Sequence, residues 1–183
     1  MSENTAMAIS LGILGSLATF LFSAYGGSLS LWAGFVAWAC FFHSGGGIAA
    51  AKLTFASTIF GCVLGWLTML AMTGASFSAV FGMPIWGAIC VAVSAPIAVL
   101  AARIQILSAV PITMSALACI SAFVLLKGTD MQDAVGATNM LALSIDQNAL
   151  LNISLSMLIG LGFGLLTERL AMSLMKAPVV SEQ

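Results

Sequence analysis

Side chains able to carry out catalysis are scarce in this sequence and lie far apart. The chain has one histidine, His43, and among its 183 residues 6 are Asp or Glu and 5 are Lys or Arg. Acid–base catalysis needs titratable groups placed against one substrate, and the apolar stretches contain no pair of carboxylates. The four cysteines, which share no metal-binding spacing, are Cys40, Cys62, Cys90 and Cys119. We therefore expect no catalytic residue, no metal site and no cofactor, and we predict that the protein is not an enzyme.

Aromatic residues on one short apolar stretch favour solute recognition instead. Trp32, Phe35 and Phe42 fall near one face of a helix at their spacing. Such a face can strip water from a small planar solute and stack on it. Ordinary packing with an interfacial tryptophan explains the same pattern. His43 closes this stretch, either at the mouth of a pathway or as a histidine solvated at the membrane surface.

A later apolar stretch supplies the other candidate recognition residues, Pro111 and Thr113. A proline inside a helix removes one N–H and frees a carbonyl about one turn upstream. The Thr113 hydroxyl can satisfy the freed backbone group or bind a solute, and a kink without function is the alternative. The glycine triplet 45–47 either lets the backbone approach a solute closely or simply links two helices.

The overall composition places these residues in a membrane. Apolar residues make up 61% of the chain and charged residues 6%, against roughly 45–50% and 25% in soluble domains. The mean hydropathy is +1.15. So few charges cannot cover a soluble surface, which excludes a soluble enzyme, a nucleic-acid-binding protein and a disordered chain.

The apolar stretches predict an all-α polytopic membrane protein with about six transmembrane helices. A spanning helix needs about 20 mostly apolar residues, and glycine, proline and charge divide the chain into stretches at 6–25, 29–43, 48–72, 83–102, 106–126 and 149–175. Glycines 26 and 27 are expected to form a tight turn. We predict one transmembrane domain over residues 1–176 and a cytoplasmic tail over 177–183.

Charge placement predicts the orientation. The side that holds both termini carries Lys52, Arg103, Arg169 and Lys176, and the other side carries Lys127, Asp130, Asp133 and Asp146. Basic residues concentrate on the cytoplasmic side of membrane proteins. We therefore predict a multi-pass protein of the bacterial inner membrane with both termini in the cytoplasm.

An internal repeat relates the two halves, 6–72 and 83–175. The pair Gly61 and Gly65 aligns with Gly160 and Gly164, each within G-x-x-x-G-x-L-T, and Ala-Cys at 39–40 aligns with Ala-Cys at 118–119. Chance matching in an Ala/Gly/Leu-rich chain is the alternative. Three helices per copy make the repeat inverted, which places solute sites near the midplane beside the short second and proline-interrupted fifth helices. The glycine pairs themselves are typical of close helix packing.

Two segments resemble a known family. Leu-Trp-Ala-Gly-Phe at 31–35, leading to Cys-Phe-Phe at 40–42 and Gly-Gly-Gly at 45–47, is one, and Ser-Ala-Val-Pro-Ile-Thr at 108–113, followed by Ala-Cys at 118–119, is the other. Their order and separation are similar to those of the YcdZ-like bacterial inner-membrane family, a domain-of-unknown-function group. His43-Ser44 and Ile112 depart from that family's usual residues. The resemblance implies a small multi-span inner-membrane protein.

These observations favour a channel or facilitator for a small neutral polar solute such as urea or a short amide. No buried acid offers ion coupling, and backbone, hydroxyl and aromatic groups form the recognition surface. A proton-coupled secondary transporter using His43 is one alternative, and a non-transporting accessory subunit is another. We expect the bilayer and the solute as partners, together with other copies of the chain in a homo-oligomer, with a trimer as the first expectation. We expect no nucleic acid partner.

Overall fold

The computed structural model describes residues 1–24, 28–74, 80–127 and 140–176. Every long regular element in those ranges is an α-helix: α1 (Glu3–Ala24), α2 (Leu31–His43), α3 (Gly47–Gly74), α4 (Met83–Ala101), α5 (Val110–Leu125) and α6 (Ala149–Lys176). A single 3-10 turn, Gln105–Leu107, precedes α5. The predicted turn at 26–27, the acidic residues Asp130 and Asp133, and the tail 177–183 lie outside the described residues.

Helix length separates four long helices from two short ones. In the described part of the chain, α1, α3, α4 and α6 are long and apolar enough to cross a membrane. By contrast, α2 has 13 residues and α5 has 16. At 1.5 Å per residue α2 is about 20 Å long, less than the roughly 30 Å of a hydrocarbon core. The all-α polytopic membrane fold is confirmed, and its second and fifth helices are short.

Contacts between distant residues define two ends of the helix bundle. At one end, the Gly47 N–H donates to Glu168 Oε2 at 2.9 Å, so α3 begins beside the last part of α6. At the other end, Asn152 Nδ2 donates to the Ser28 carbonyl at 2.7 Å, so α6 begins beside the segment that leads into α2. We call these the Lys52 end and the Asn152 end. The helices run between them in alternating directions.

The packing of the first three helices is repeated by the last three. The short helix α2 lies mainly along α6, and the short helix α5 lies mainly along α3. The peripheral helix α1 packs on α6, and the peripheral helix α4 packs on α3. The two long helices α3 and α6 also contact each other at the centre. Each of these contacts has its counterpart in the other half, as an inverted repeat requires.

The prediction that Pro111 interrupts the fifth helix is wrong. The apolar stretch from residue 106 is divided between the 3-10 turn and α5, and Pro111 lies in the first turn of α5. There the missing N–H has no intrahelical partner to lose, so proline starts the helix and frees no carbonyl. The proline that lies inside a helix is Pro96, in α4.

Small apolar side chains fill the centre of the bundle. The largest buried cluster joins α2, α3, α5 and α6, and it includes Ala33, Cys62, Ala116, Ile120, Ile153 and Met157. All four cysteines are free, and Cys62, Cys90 and Cys119 are buried. Small residues at these positions let the central helices approach closely, which holds the site described next.

Candidate functional site

Two glycines allow each short helix to touch a long one backbone to backbone. A Cβ added to Gly160 of α6 would overlap the Gly34 carbonyl of α2. A Cβ added to Gly61 of α3 would overlap the Thr113 carbonyl of α5. Both contacts join a glycine of a long helix to a backbone oxygen near the start of a short helix. Only glycine fits at either position without moving a backbone.

The second glycine of each pair makes the next contact in the same register. A Cβ on Gly65 would lie 3.0 Å from Leu117 Cα, one turn beyond Thr113. A Cβ on Gly164 would lie 2.8 Å from Phe41 Cδ1 and 3.3 Å from Cδ1 of Trp38, which is one turn beyond Gly34. Thr113 is therefore the positional equivalent of Gly34, and the two halves share both the helix order and the residue register.

This register places the start of α5 part-way along α3, well beyond the first residue of α3. α3 and α5 run in the same direction, and Thr113 lies beside Gly61, in the middle of α3. Val110, one turn earlier, is then about level with Thr58, roughly 16 Å along α3 from Gly47. Irregular backbone at such depth is tolerated where protein or water lines it.

Four buried hydroxyls surround this recessed helix start. Thr54, Ser57, Thr58 and Thr113 are 0–1% exposed, and their oxygens have no hydrogen-bond partner among the described residues. On α3, residues 54, 57, 58 and 61 share one face, and that face meets α5 at Gly61. A buried hydroxyl without a partner costs about 1–3 kcal/mol. Four such groups together form a polar surface that lacks its partners, and we call them the hydroxyl cluster.

A recess opens on the bundle surface at the Lys52 end. Its volume is about 660 Å³, and it is lined by Ala49, Lys52, Leu53, Ile104, Gln105, Ile106 and Ser108. Lys52 and Leu53 directly precede Thr54 in α3, and Ser108 lies just before the start of α5. The four residues of the hydroxyl cluster are buried and are not among the residues that line the recess.

The equivalent region between α2 and α6 is closed by hydrogen bonds. The Ser30 N–H donates to Ser156 Oγ at 2.9 Å, and the Ser30 hydroxyl donates to Asn152 Oδ1 at 2.7 Å. Asn152 Nδ2 donates to the carbonyls of Ser28 at 2.7 Å and Ile145 at 3.0 Å. Asn152 is 1% exposed. We call this set of bonds the Asn152 clamp, because it ties the start of α2 to α6.

The predicted aromatic residues lie away from the hydroxyl cluster. Trp32 and Phe35 face outward from the bundle and are 36% and 41% exposed. Phe42 is half-buried and packs against a cluster that contains Trp38. Phe35 also stacks on Trp38 with ring centroids 5.6 Å apart.

The remaining predicted residues divide between the surface and the cluster. His43 is exposed at the last turn of α2, and Pro111 is exposed in the first turn of α5. Thr113 is the predicted pathway residue that belongs to the hydroxyl cluster. The four predicted packing glycines, Gly61, Gly65, Gly160 and Gly164, all lie at helix contacts.

Sequence reasoning did not identify Thr54, Thr58 and Asn152 as site residues. A signal for the first two is present, because Thr54 and Thr58 stand seven and three residues before Gly61 and so share its face. Asn152 has no comparable signal. Its role depends on the loops 28–30 and 145, which only the fold brings to it.

The glycine triplet surrounds a carboxylate of the protein itself. Gly45, Gly46 and Gly47 have φ angles of 92°, 71° and 74°, a left-handed backbone that other residues rarely adopt. A Cβ on Gly46 would lie 2.7 Å from Glu168 Oε1, and the Gly47 N–H binds Glu168 Oε2. Glu168 therefore neutralises the positive N-terminal end of α3.

The fold and the buried polar cluster define the class of protein: a multi-pass α-helical membrane protein built from two similar three-helix halves. The chain belongs to the family described as "Protein of unknown function (DUF1097)", whose family model matches residues 8–172. The match covers α2 to α5 entirely and most of α1 and α6. No curated protein and no solved structure matches the chain.

Proposed function

We propose that this protein is a facilitator, located in the bacterial inner membrane, for a small neutral polar solute such as urea or a short amide. The observation that carries the proposal is the hydroxyl cluster, Thr54, Ser57, Thr58 and Thr113, buried without partners beside the recessed start of α5. A solute or water that passes the cluster supplies the missing hydrogen bonds. Membrane proteins of this architecture bind solutes at the interface between the repeats.

The chemistry of the cluster favours a neutral solute over an ion. A hydroxyl both donates and accepts a hydrogen bond, which matches the N–H and C=O groups of an amide. The cluster contains no carboxylate, and Lys52 lines the recess at the same end of α3. A fixed positive charge there disfavours cations, and Lys52 is the one basic residue among the described residues that line the recess, so an anion finds no pair of basic groups.

The exposed aromatic residues have a second place in the proposal. Because Trp32 and Phe35 lie on the outer surface of the chain, they line a pathway only where copies of the chain meet. A homo-oligomer, with three copies as the expected number, would cover them. Within one chain, Thr113 connects the start of α5 to the hydroxyl cluster, and we treat the path inside the chain as the primary one.

The proposal includes an orientation of the chain in the membrane and a narrower family resemblance. Lys52, Arg103 and Arg169 lie at the Lys52 end, whereas Lys127 and Asp146 lie at the Asn152 end. Following the positive-inside rule, we assign the Lys52 end and both termini to the cytoplasm. The narrower resemblance to YcdZ-like inner-membrane proteins is kept as part of this proposal.

Stopped-flow measurement of solute uptake by proteoliposomes tests the proposal. Vesicles that contain the purified protein are compared with empty vesicles in gradients of urea, acetamide, glycerol and ammonium. We expect faster entry of urea or acetamide, with no dependence on a proton gradient. Equal rates in both vesicle types for every solute would contradict the proposal and favour the accessory-subunit alternative.

The same vesicles separate passive from coupled transport. His43, exposed at the end of α2, is the only histidine. Uptake that follows an imposed proton gradient and is lost in His43→Ala would replace the facilitator with a proton-coupled transporter. We expect His43→Ala to leave the urea rate unchanged.

A further inference from the structure

The two halves of the protein differ at one pair of equivalent hydrogen-bonding positions. Ser30 and Ala109 are the residues that directly precede α2 and α5. Ser156 and Ser57 stand four residues before the contact glycines Gly160 and Gly61. Where α2 packs on α6, Ser156 Oγ accepts the Ser30 N–H at 2.9 Å. Where α5 packs on α3, Ser57 Oγ has no partner among the described residues, so the equivalent bond to Ala109 is not made.

The surroundings of the two serines differ in the same sense. Asn152, which holds the start of α2, has Leu53 as its equivalent in α3, and Leu53 lines the recess at the Lys52 end. The start of α2 is therefore fixed to α6, and the segment before α5 lines a recess. The α2–α6 pair is closed and the α3–α5 pair is open, although the helix contacts in both pairs follow the same register.

We infer that Ser57 and Ser156 are alternating latches, and that the protein exchanges the observed conformation for one in which Ser57 binds the Ala109 N–H and Ser156 releases Ser30. In the observed conformation the hydroxyl cluster is reached from the Lys52 end, and the Asn152 clamp blocks the other end. In the second conformation the recess closes and the Asn152 end opens. This inference rests on the proposed function, because it describes how a solute passes the cluster.

The fixed glycine contacts make such an exchange mechanically simple. Gly34 lies against Gly160, and Thr113 lies against Gly61, just beyond the two latches. A small rotation of each short helix about its glycine contact moves its first residues and leaves the rest of the packing in place. In inverted repeats, alternating access arises when the two halves exchange conformations.

Thiol labelling from the two sides of the membrane tests the inference. The background replaces Cys40, Cys62, Cys90 and Cys119 by alanine, and each protein carries one reporter. The reporters are Thr54→Cys and Ile153→Cys, which occupy equivalent positions 99 residues apart in the two long helices and are both 0% exposed. A small membrane-impermeant methanethiosulfonate is added to vesicles of known orientation, and urea uptake is measured on the same vesicles.

Loss of the hydrogen bond between Ser156 and Ser30 should change the labelling rates of the two reporters in opposite directions. Both positions are fully buried in the observed conformation, so in the otherwise unchanged background we expect slow labelling, with Thr54→Cys reacting from the Lys52 end faster than Ile153→Cys reacts from the Asn152 end. Adding Ser156→Ala should raise the Ile153→Cys rate from the Asn152 end by about fivefold, and lower the Thr54→Cys rate, since one hydrogen bond shifts an equilibrium by about that factor. Asn152→Leu, which copies Leu53, should act in the same direction.

Two further variants make the test specific. Ser57→Ala should leave the Ile153→Cys reporter protected, because Ser57 has no bond to lose in the observed conformation. Thr167→Ala is the matched control in α6, since its hydroxyl binds only the Phe163 carbonyl of its own helix at 2.8 Å. It should change neither reporter.

The outcomes separate the latch from the function. Opposite changes at the two reporters support the exchange. A rise at Ile153→Cys with no fall at Thr54→Cys would indicate a simple pore gate and overturn the alternating latch, as would no change in either reporter. Urea uptake without reporter exchange would keep the proposed function and reject the latch, whereas exchange without uptake of any solute would do the reverse.

Discussion

At the residue scale, Gly160 has the least room for a side chain among the glycines of the described residues. A Cβ at this residue would overlap the Gly34 backbone, whereas a Cβ on Gly162, two residues along the same helix, would meet nothing within 4 Å. The two glycines have the same helical environment and differ only in what faces them. Comparing them separates the packing contact from the helix propensity of glycine.

We expect Gly160→Ala to destabilise the protein and Gly162→Ala to leave it unchanged or slightly more stable. Overpacking a tight contact costs about 1–3 kcal/mol, whereas alanine in an open helix position gains about 0.5–1 kcal/mol over glycine. Thermal unfolding in detergent, followed by the monodisperse fraction in gel filtration, measures both. Equal stability of the two variants would show that α2 and α6 do not touch at this point.

At the element scale, the starts of the short helices govern where polar groups lie in the membrane. The sequence predicts the existence of α2 and α5, because glycine and proline delimit short apolar stretches at corresponding positions of the two halves. It does not predict where α5 begins. The sequence around Pro111 is compatible with two structures. Proline can lie inside a helix, where it causes a kink, or in the first turn of a helix, where it does not. The packing of Thr113 against Gly61 decides between them, and that contact joins residues 52 positions apart.

The same limit applies to the candidate site. Thr113 was identified from its neighbour Pro111, and the packing glycines from their repeated spacing. The aromatic face of α2 was expected to line the pathway, but the helix turns Trp32 and Phe35 outward and buries Ala33, Gly34 and Ala37. Periodicity cannot distinguish these faces, since both are apolar and a bilayer accepts either outside.

The position of Pro111 gives a prediction for α5. Because it is exposed in the first turn, we expect Pro111→Ala to change stability by less than about 1 kcal/mol, since no internal hydrogen bond is gained or lost there. Thermal unfolding measures the change. A gain near 3 kcal/mol, the approximate cost of a proline inside a helix, would place Pro111 within a longer helix.

At the scale of the whole molecule, the two pairs of short and long helices share one packing scheme and differ in their polar residues. The α3–α5 pair has hydroxyls without partners and a recess beside it, and the α2–α6 pair has a closed set of hydrogen bonds. The basic residues follow the same division, with Lys52, Arg103 and Arg169 at one end. A symmetric scaffold with unequal polar ends is what directional access to a central site requires.

The charge division predicts the topology. Reporter proteins fused to either terminus should be active as cytoplasmic reporters and inactive as periplasmic ones, because both termini belong to the side with more basic residues. A cytoplasmic fluorescent protein and a periplasmic phosphatase make a matched pair of fusions. Phosphatase activity from either terminal fusion would reverse the proposed orientation.

The central claim is that unpartnered hydroxyls inside the chain carry the solute, and one comparison of urea uptake tests it most directly. Thr58 has a buried hydroxyl with no partner, whereas Thr68, on the same helix, binds the Leu64 carbonyl at 2.7 Å. Thr58→Val removes a buried hydroxyl whose missing hydrogen bond destabilises the observed conformation, so we expect the variant to unfold at a higher temperature. We predict that Thr58→Val lowers the stopped-flow urea rate about tenfold, equivalent to one lost hydrogen bond to the solute of about 1.4 kcal/mol, while Thr68→Val keeps the rate of the unaltered protein. Equal rates in the two variants, with both proteins folded, would contradict the account.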